Sequence, residues 1–226
     1  MLEKTKTFIE LAKLFKEHGH SLYLVGGTVR DILLNEPLDD MDVVTDATPE
    51  EMKSFVNGDY TFSKMGSVKF NYQGTKFDIT TLRKEKHYQD YRHPAEVVFV
   101  KDLKTDHLRR DFTINAMYLD EHFQLFDFEN GEDDLNNRVI KMVGNPIKRL
   151  KEDPLRILRA IRFALGYDFI LDKDLDKALI KSTKYLDKIS KDKIKMEFKK
   201  FKNIKNDQLD KMLEKYSIKH LKDVIE

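Results

Sequence analysis

The sequence predicts an α+β protein with a mixed, strand-bearing front and a helical back. Three observations predict it. Short apolar runs ended by turn residues, the mark of buried strands, are confined to the part before about residue 120. Beyond about residue 145 strand signals vanish and apolar residues recur at helical spacing. No Gly-, Pro- or Ser-rich stretch separates the two parts, so the junction is expected to be packed and not a tether. We therefore place two domains, 1–145 and 146–226.

The elements follow in order. Phe8, Ile9, Ala12 and Phe15 share one helical face, and Gly19 is the stop signal. Leu22-Tyr23-Leu24-Val25 reads as a buried strand ended by Gly26-Gly27, and Thr28 to Leu34 as a short helix. Met41 to Val44 is a second strand. Thr48-Pro49-Glu50-Glu51 carries a capping threonine, proline in the first turn and acids at the positive end of the helix dipole. Gln73-Gly74 is a hairpin turn between Val68–Tyr72 and Lys76–Leu82. Residues 83–95 are polar and aromatic without an apolar period and read as a loop. An apolar helix is expected after Arg109-Arg110-Asp111. Helices are expected over 153–165, 172–182, 190–202 and 206–215.

Composition excludes several classes. With no cysteine in 226 residues, a disulfide scaffold, a thiolate zinc site and a cysteine nucleophile are excluded. Charged residues make up 36% of the chain, and no run approaches the roughly 18 apolar residues of a membrane span. Glu3 and Glu10 interrupt the N-terminal apolar stretch, which does not read as a secretory signal, so the cytoplasm is the expected compartment. The net charge of +1 is unevenly spread: residues 171–226 carry 16 Lys+Arg against 11 Asp+Glu, a balance of +5. Seven lysines lie between Lys188 and Lys202. Such a segment is either a solvated helical surface or a face toward an anionic partner.

The candidate chemistry starts at Gly26-Gly27 and continues through Asp40-Met41-Asp42 and Phe77-Asp78-Ile79. Carboxylates at i and i+2 on a strand point to the same face. Their repulsion is costly unless divalent cations sit between them. Two such cations clamp the attacking and leaving oxygens of an in-line phosphoryl displacement, and carboxylate oxygens with room for water suit Mg²⁺. Asp40 and Asp42 are thus the candidate metal ligands, with Asp78 a third carboxylate from another strand. The glycines allow backbone N–H groups close to phosphate oxygens, and Arg30 stands one helical turn further in. Asp153, Arg156, Arg159 and Arg162 recur at spacings of three. They are either an ion pair with two surface arginines, or a set in which Asp153 and Arg156 complement the Watson–Crick edge of a base. Cytosine and adenine both present a donor beside an acceptor, so this pair would accept them and reject guanine and uracil.

Together these residues resemble the nucleotidyltransferase superfamily that includes DNA polymerase β. Four ordered motifs narrow the resemblance to class II CCA-adding enzymes and bacterial poly(A) polymerases. They are Leu24–Asp31 with Asp40–Thr45, Arg109–Met117, Gly131–Leu135 with Ile140–Gly144, and Glu152–Ala164. The resemblance implies a nucleotidyltransferase head with a mixed sheet flanked by helices, followed by a helical neck. It implies Mg²⁺-dependent, template-independent addition of nucleotides from CTP and ATP to the tRNA 3′ acceptor end, with Asp40, Asp42 and Asp78 at the chemistry. Sugar and triphosphate recognition carries onto Arg110, Asp111 and Asn115, and the amino-acid template onto Asp153 and Arg156, with Arg159 and Arg162 beside it as further expected nucleotide-binding residues. Arg83 to Pro94, with Glu85, Tyr88, Asp90 and Arg92, resembles the family's flexible loop. The family's body and tail domains are expected to be absent or truncated, because the chain stops at Glu226. Addition of A alone, a poly(A)-adding relative, or a catalytically silent RNA-binding module are the competing expectations.

Overall fold

A computed structural model of the chain describes residues 2–88, 91, 94–201 and 204–224. It divides into two compact units. The first comprises residues 1–85, 96–110 and 114–132; the second comprises 86–95, 111–113 and 133–226.

The first unit is built on a six-stranded sheet. Helix α1 (Leu2–Glu17) buries Phe8, Leu11, Ala12 and Phe15, the face its spacing predicts. Strands β1 (Leu22–Val25) and β2 (Met41–Thr45) flank the short helix α2 (Gly27–Leu33). Helix α3 (Pro49–Met52) starts at the expected capping box, with Thr48 and Glu51 bonded reciprocally. Strands β3 (Ser67–Tyr72) and β4 (Thr75–Thr81) form the expected hairpin. Gln73 and Gly74 both have positive φ, 49° and 79°, the condition for a tight turn matching the twist of the strands. The sheet order is β3-β4-β2-β1-β7-β8, completed by β7 (Tyr118–Leu119) and β8 (Leu125–Phe126). Only the β2–β4 pair is parallel.

That parallel pair sets Asp42 opposite Asp78. The pleat does the rest. Met41, Val43, Phe77 and Ile79 alternate with the acids and are at most 1% exposed, so one face of the sheet is core and the other carries the acids.

Three expectations are corrected here. The segment from residue 83 is not a loop throughout: β5 (Arg83–Tyr88) and β6 (Pro94–Phe99) form a two-stranded sheet. A two-stranded ribbon needs no buried face, so polar residues such as Arg83 and Glu85, paired at 2.8 Å, suffice to cover it and no apolar alternation announces it. Asp90 and Arg92 lie outside the described residues. After α4 (Leu103–Asp106), Arg109-Arg110-Asp111 does not open an apolar helix; a single 3-10 turn, Thr113–Asn115, leads directly into β7. The apolar residues there are spaced for a buried turn and strand, Phe112, Ile114, Met117 and Tyr118 all having 0% exposure.

In the second unit α6 (Pro146–Glu152), α7 (Leu155–Gly166), α8 (Lys173–Ser182), α9 (Lys191–Phe198) and α10 (Asn206–Lys215) follow α5 (Gly131–Asn136), which begins in the first unit. The four expected helices correspond to α7–α10, although α9 stops at Phe198 and not at 202; α6 and a pair of short strands are additions. Two-residue strands β9 (Val139–Ile140) and β10 (Ile170–Leu171) pair in parallel. They are too short for any periodicity to reveal. Helix α7 buries Leu155, Ile157, Leu158, Ala160, Ile161, Phe163 and Ala164, more than one stripe, as befits the central helix of a bundle. Asp153 is the third correction: it sits at the break between α6 and α7 and so does not share a helix with Arg156, Arg159 and Arg162. Proline at 154 forces the break, since it cannot donate into α6.

Candidate functional site

Asp42 and Asp78 are neighbours across parallel strands, and Asp40 precedes β2 by one residue, on the Asp42 side of the pleat. Asp40 and Asp78 line one open cleft of about 370 Å³. Asp42 is exposed, yet its carboxyl stands against the Gly26-Gly27 turn and two arginines. Burial first, and the charge of Asp78 second, push its pKa up to about 6, against the opposing pull of Arg110 and Arg30.

The Gly26-Gly27 turn closes one side. Gly26 has φ 65° and ψ −127°, a conformation that side chains other than glycine's rarely adopt. A Cβ there would stand 3.9 Å from Asp42 Oδ2 and 3.7 Å from Arg110 Nη1. One at Gly27 would stand 3.8 Å from Asp42 Oδ2 and 3.4 Å from Arg30 Nη2. The two glycines, two guanidiniums and the Asp42 carboxylate therefore enclose one small space, kept open by the missing side chains. Helix α2 has only seven residues and little dipole, so the arginines supply most of the positive charge. Thr28 Oγ1 accepts from the Asp42 backbone N–H at 2.8 Å and ties the turn to β2. Arg30, 6% exposed, donates to Asn115 Oδ1 at 2.7 Å and to Asp31. This brings Asn115 to the same place.

Arg110 is held by a group that sequence reading missed. Asp106 has no exposed surface and accepts from Arg83 N, Arg109 Nε, Arg110 Nη2 and the Tyr118 hydroxyl, at 2.8–3.0 Å. Burial alone would raise its pKa; Arg109 and Arg110 overwhelm that and hold the carboxyl well below the usual range. Arg110 also lies over the Tyr118 ring, 5.1 Å from its centroid. A spacing signal existed, because Asp106 stands at i−3 and i−4 from the two arginines.

The second unit holds the remaining candidates. Asp111 is paired with Arg159, which donates from Nε at 2.7 Å, and its other oxygen accepts from Phe112 N. Arg162 Nε donates to the buried Glu197 at 2.9 Å. The repulsion expected among three clustered arginines is thus relieved by internal carboxylates, and neither Arg159 nor Arg162 is a plain surface residue. Glu197 lies 35 residues from Arg162 and carried no local signal. Asp153 Oδ1 accepts from Leu155 N at 3.2 Å, capping α7. Arg156, 5% exposed, donates to the Arg149 carbonyl at 2.8 Å and lies 3.6 Å from Glu152. The Tyr88 ring stands 5.9 Å from its guanidinium. Both template candidates are therefore buried and fixed.

Among the described residues no three His, Asp or Glu side chains are grouped to hold a metal by themselves. The donor chemistry nevertheless fits Mg²⁺, which binds through one or two carboxylates and leaves its other positions to water and substrate phosphates. The crowded Asp42–Asp78 pair is such a donor set.

A mixed sheet carrying paired acids beside a Gly-Gly turn, followed by a helical unit with a buried Asp/Arg set, defines the class. The chain belongs to the poly(A) polymerase head-domain family, whose model matches residues 22–141. It is 41% identical over 186 residues to a CCA-adding enzyme of Staphylococcus haemolyticus, covering 82% of this chain and 46% of that protein. The crystal structure of the Bacillus stearothermophilus CCA-adding enzyme in complex with CTP superposes with a TM-score of 0.83 at 33% identity, over 96% of this chain and 52% of the other. The Thermotoga maritima CCA-adding enzyme complexed with tRNA(CCA) gives 0.75 at 28% identity, over 93% and 50%. The chain spans about half the length of the relatives it matches. No helix among the described residues is long and apolar enough to cross a membrane.

Proposed function

We propose that the chain carries the nucleotide-transferring part of a template-independent RNA nucleotidyltransferase that builds or repairs the CCA end of tRNA. The carrying observation is the Asp42–Asp78 pair set by β2–β4 register, with Gly26, Gly27, Arg30 and Arg110 converging on Asp42. The relatives' names, and their complexes with CTP and tRNA, support the substrate class.

In this reading Arg30 and Arg110 fork onto the triphosphate of CTP or ATP, and the bare backbone of Gly26 and Gly27 lets it approach. Asn115 and Asp111 hold the sugar. Asp153 and Arg156 meet the base edge, and their burial fixes them well enough to discriminate: a base that mispairs leaves buried polar groups unmatched. Arg159 and Arg162 act by holding Asp111 and bracing the arginine row. Asp40 and Asp42 are the Mg²⁺ ligands, with Asp78 the third carboxylate. Mg²⁺, when bound, would neutralise charge developing on the transferring phosphoryl group. The α-phosphorus–oxygen bond to pyrophosphate breaks as the RNA 3′-hydroxyl oxygen bonds to phosphorus, and pyrophosphate leaves. We place head chemistry in 1–145, the neck in 146–226, and the activity in the cytoplasm with tRNA and nucleoside triphosphates.

The test offers labelled CTP or ATP, with and without Mg²⁺, to tRNA ending at the discriminator base, C, CC or CCA. Stepwise growth that stops at CCA is expected. Unbounded addition of A would establish the poly(A)-adding alternative, and RNA binding with no growth would establish a silent binding module.

A further inference from the structure

The sheet face that carries the acids continues past them, and its outer two strands are basic. Register sets Lys69 on β3 opposite Asp78 on β4, and Asn71 opposite Lys76. Asp78 in turn lies opposite Asp42 on β2. Asp40, one residue before Met41, falls at the level of Lys76, because Met41 pairs with Phe77. Two rows therefore cross the same face: Asp42, Asp78, Lys69, and beside it Asp40, Lys76, Asn71. The pleat sends the five strand residues to one side, with Asp40 just before β2 beside them, while the Phe77 and Val68 side chains are buried with at most 1% exposure. All residues of the two rows but Asp42, together with Phe70 and Phe77, line the open cleft of about 370 Å³.

The sheet order decides what this cleft is for. Gly26, Gly27, Arg30 and Arg110 surround Asp42 on its β1–α2 side, and β4 with β3 lie on its other side. In an in-line displacement the leaving group and the nucleophile stand on opposite sides of phosphorus. If pyrophosphate departs toward the arginines, the attacking hydroxyl arrives from the β4–β3 side. An RNA strand approaching there meets clustered carboxylates, which repel its phosphates. Two lysines at that edge offset part of that charge where the strand would pass. Lys69 is held only loosely: its Nζ is 3.9 Å from Asp78 Oδ1, beyond hydrogen-bond range, and its side chain is 61% exposed.

We propose that Lys69 and Lys76 seat the backbone phosphates next to the 3′ end of the acceptor RNA, in the cleft between the β3–β4 hairpin and Asp40. They are positioning residues: they touch phosphate, not the reacting atoms, and read no base. The inference rests on the transferase reading for its direction of approach.

Two measurements test it on the whole chain. The first is steady-state addition of CTP to an acceptor minihelix, for Lys69→Gln, Lys76→Gln and the double variant. Each single change should raise KM for the minihelix roughly 3–10-fold, leave KM for CTP within about twofold, and flatten the log affinity–log salt slope by about 0.7–0.9. Arginine at either position should restore the minihelix KM. An equal rise in both KM values would make the lysines structural or part of the CTP site, and an unchanged minihelix KM would remove them from the RNA path. The second measurement photo-crosslinks a minihelix bearing 4-thiouridine as its 3′-terminal nucleotide, without turnover. The crosslink should map to residues 67–81 and fade in the double variant; a crosslink elsewhere overturns the seat. A chain that extends no RNA but crosslinks through the hairpin loses the transferase reading and keeps the seat. A chain that extends RNA but crosslinks elsewhere keeps the transferase reading and loses the seat.

Discussion

Two carboxylate sites in the first unit are treated in opposite ways. Around Asp106 every lone pair is met: two guanidiniums, a backbone N–H and a tyrosine hydroxyl surround one fully buried acid. Around Asp42 the nearest acid is another acid in register, and the carboxyl resists ionisation. The saturated site holds side chains in place. The crowded one sets two carboxylates side by side, with Arg110 and Arg30 only partly offsetting the cost of charging Asp42. The difference separates a saturated positioning node from the proposed reacting centre, although both are built from Asp and Arg.

The sharpest way to break this contrast is at its crowded end. Asp42→Ala should lower nucleotide addition by at least about a thousandfold, because transition-state charge in phosphoryl transfer is compensated chiefly through the groups these acids hold. RNA binding, read by gel shift, should survive; more than a tenth of the parent rate would remove Asp42 as a ligand.

At the saturated end, Asp106→Ala should cost folding stability of about 3–5 kcal/mol by urea unfolding at pH 7, since it strands two cations around a buried site. The pH dependence carries a sign. The folded pKa of Asp106 lies below its unfolded value near 4, so its stabilisation is present above pH 4 and fades as pH falls below it. The parent should therefore lose its advantage over Asp106→Asn on acidification, and a constant gap from pH 7 to 3 would contradict the ion-paired node.

Asp153→Ala or Arg156→Ala should relax base choice roughly 10–100-fold, the worth of about 1–3 kcal/mol for an unmatched buried polar group, with little change in triphosphate affinity. Competition between CTP and UTP reads this directly. Unchanged selectivity would leave the pair as a helix-capping device only.

The smallest effect belongs to a site in neither region. Thr48→Ala removes the α3 capping box and should cost about 1 kcal/mol of stability with activity per folded molecule intact. Lost activity there would show that the contrast between the two acid sites is not local.

Much of the candidate site was legible because it is local. Gly26-Gly27, Arg30 and Asp42 are neighbours along the chain, and strand and turn periodicities place them without reference to anything distant. Asp106 was within reach of helical spacing but was overshadowed by the adjacent Arg109-Arg110-Asp111. Glu197 was not legible at all: its bond to Arg162 joins α9 to α7, and nothing near either residue announces the other. The β5–β6 ribbon and the β9–β10 pair also escaped, the first because it buries no regular face, the second because two residues cannot show a period.

The sequence by itself determined the division into a strand-bearing front and a helical back, the Thr48 cap, the Gln73-Gly74 hairpin and the order of the motifs. Each of these depends on neighbours within a few residues, where backbone geometry leaves few choices. Tertiary structure alone decided which charges meet. The parallel β2–β4 register sets Asp42 beside Asp78 and Lys69 beyond it. Folding brings Asp111 to Arg159 across 48 positions of chain. Pairing across such distances depends on how whole elements pack, and Coulomb interactions at a few ångströms then settle which acids are neutralised and which are left to bind something else.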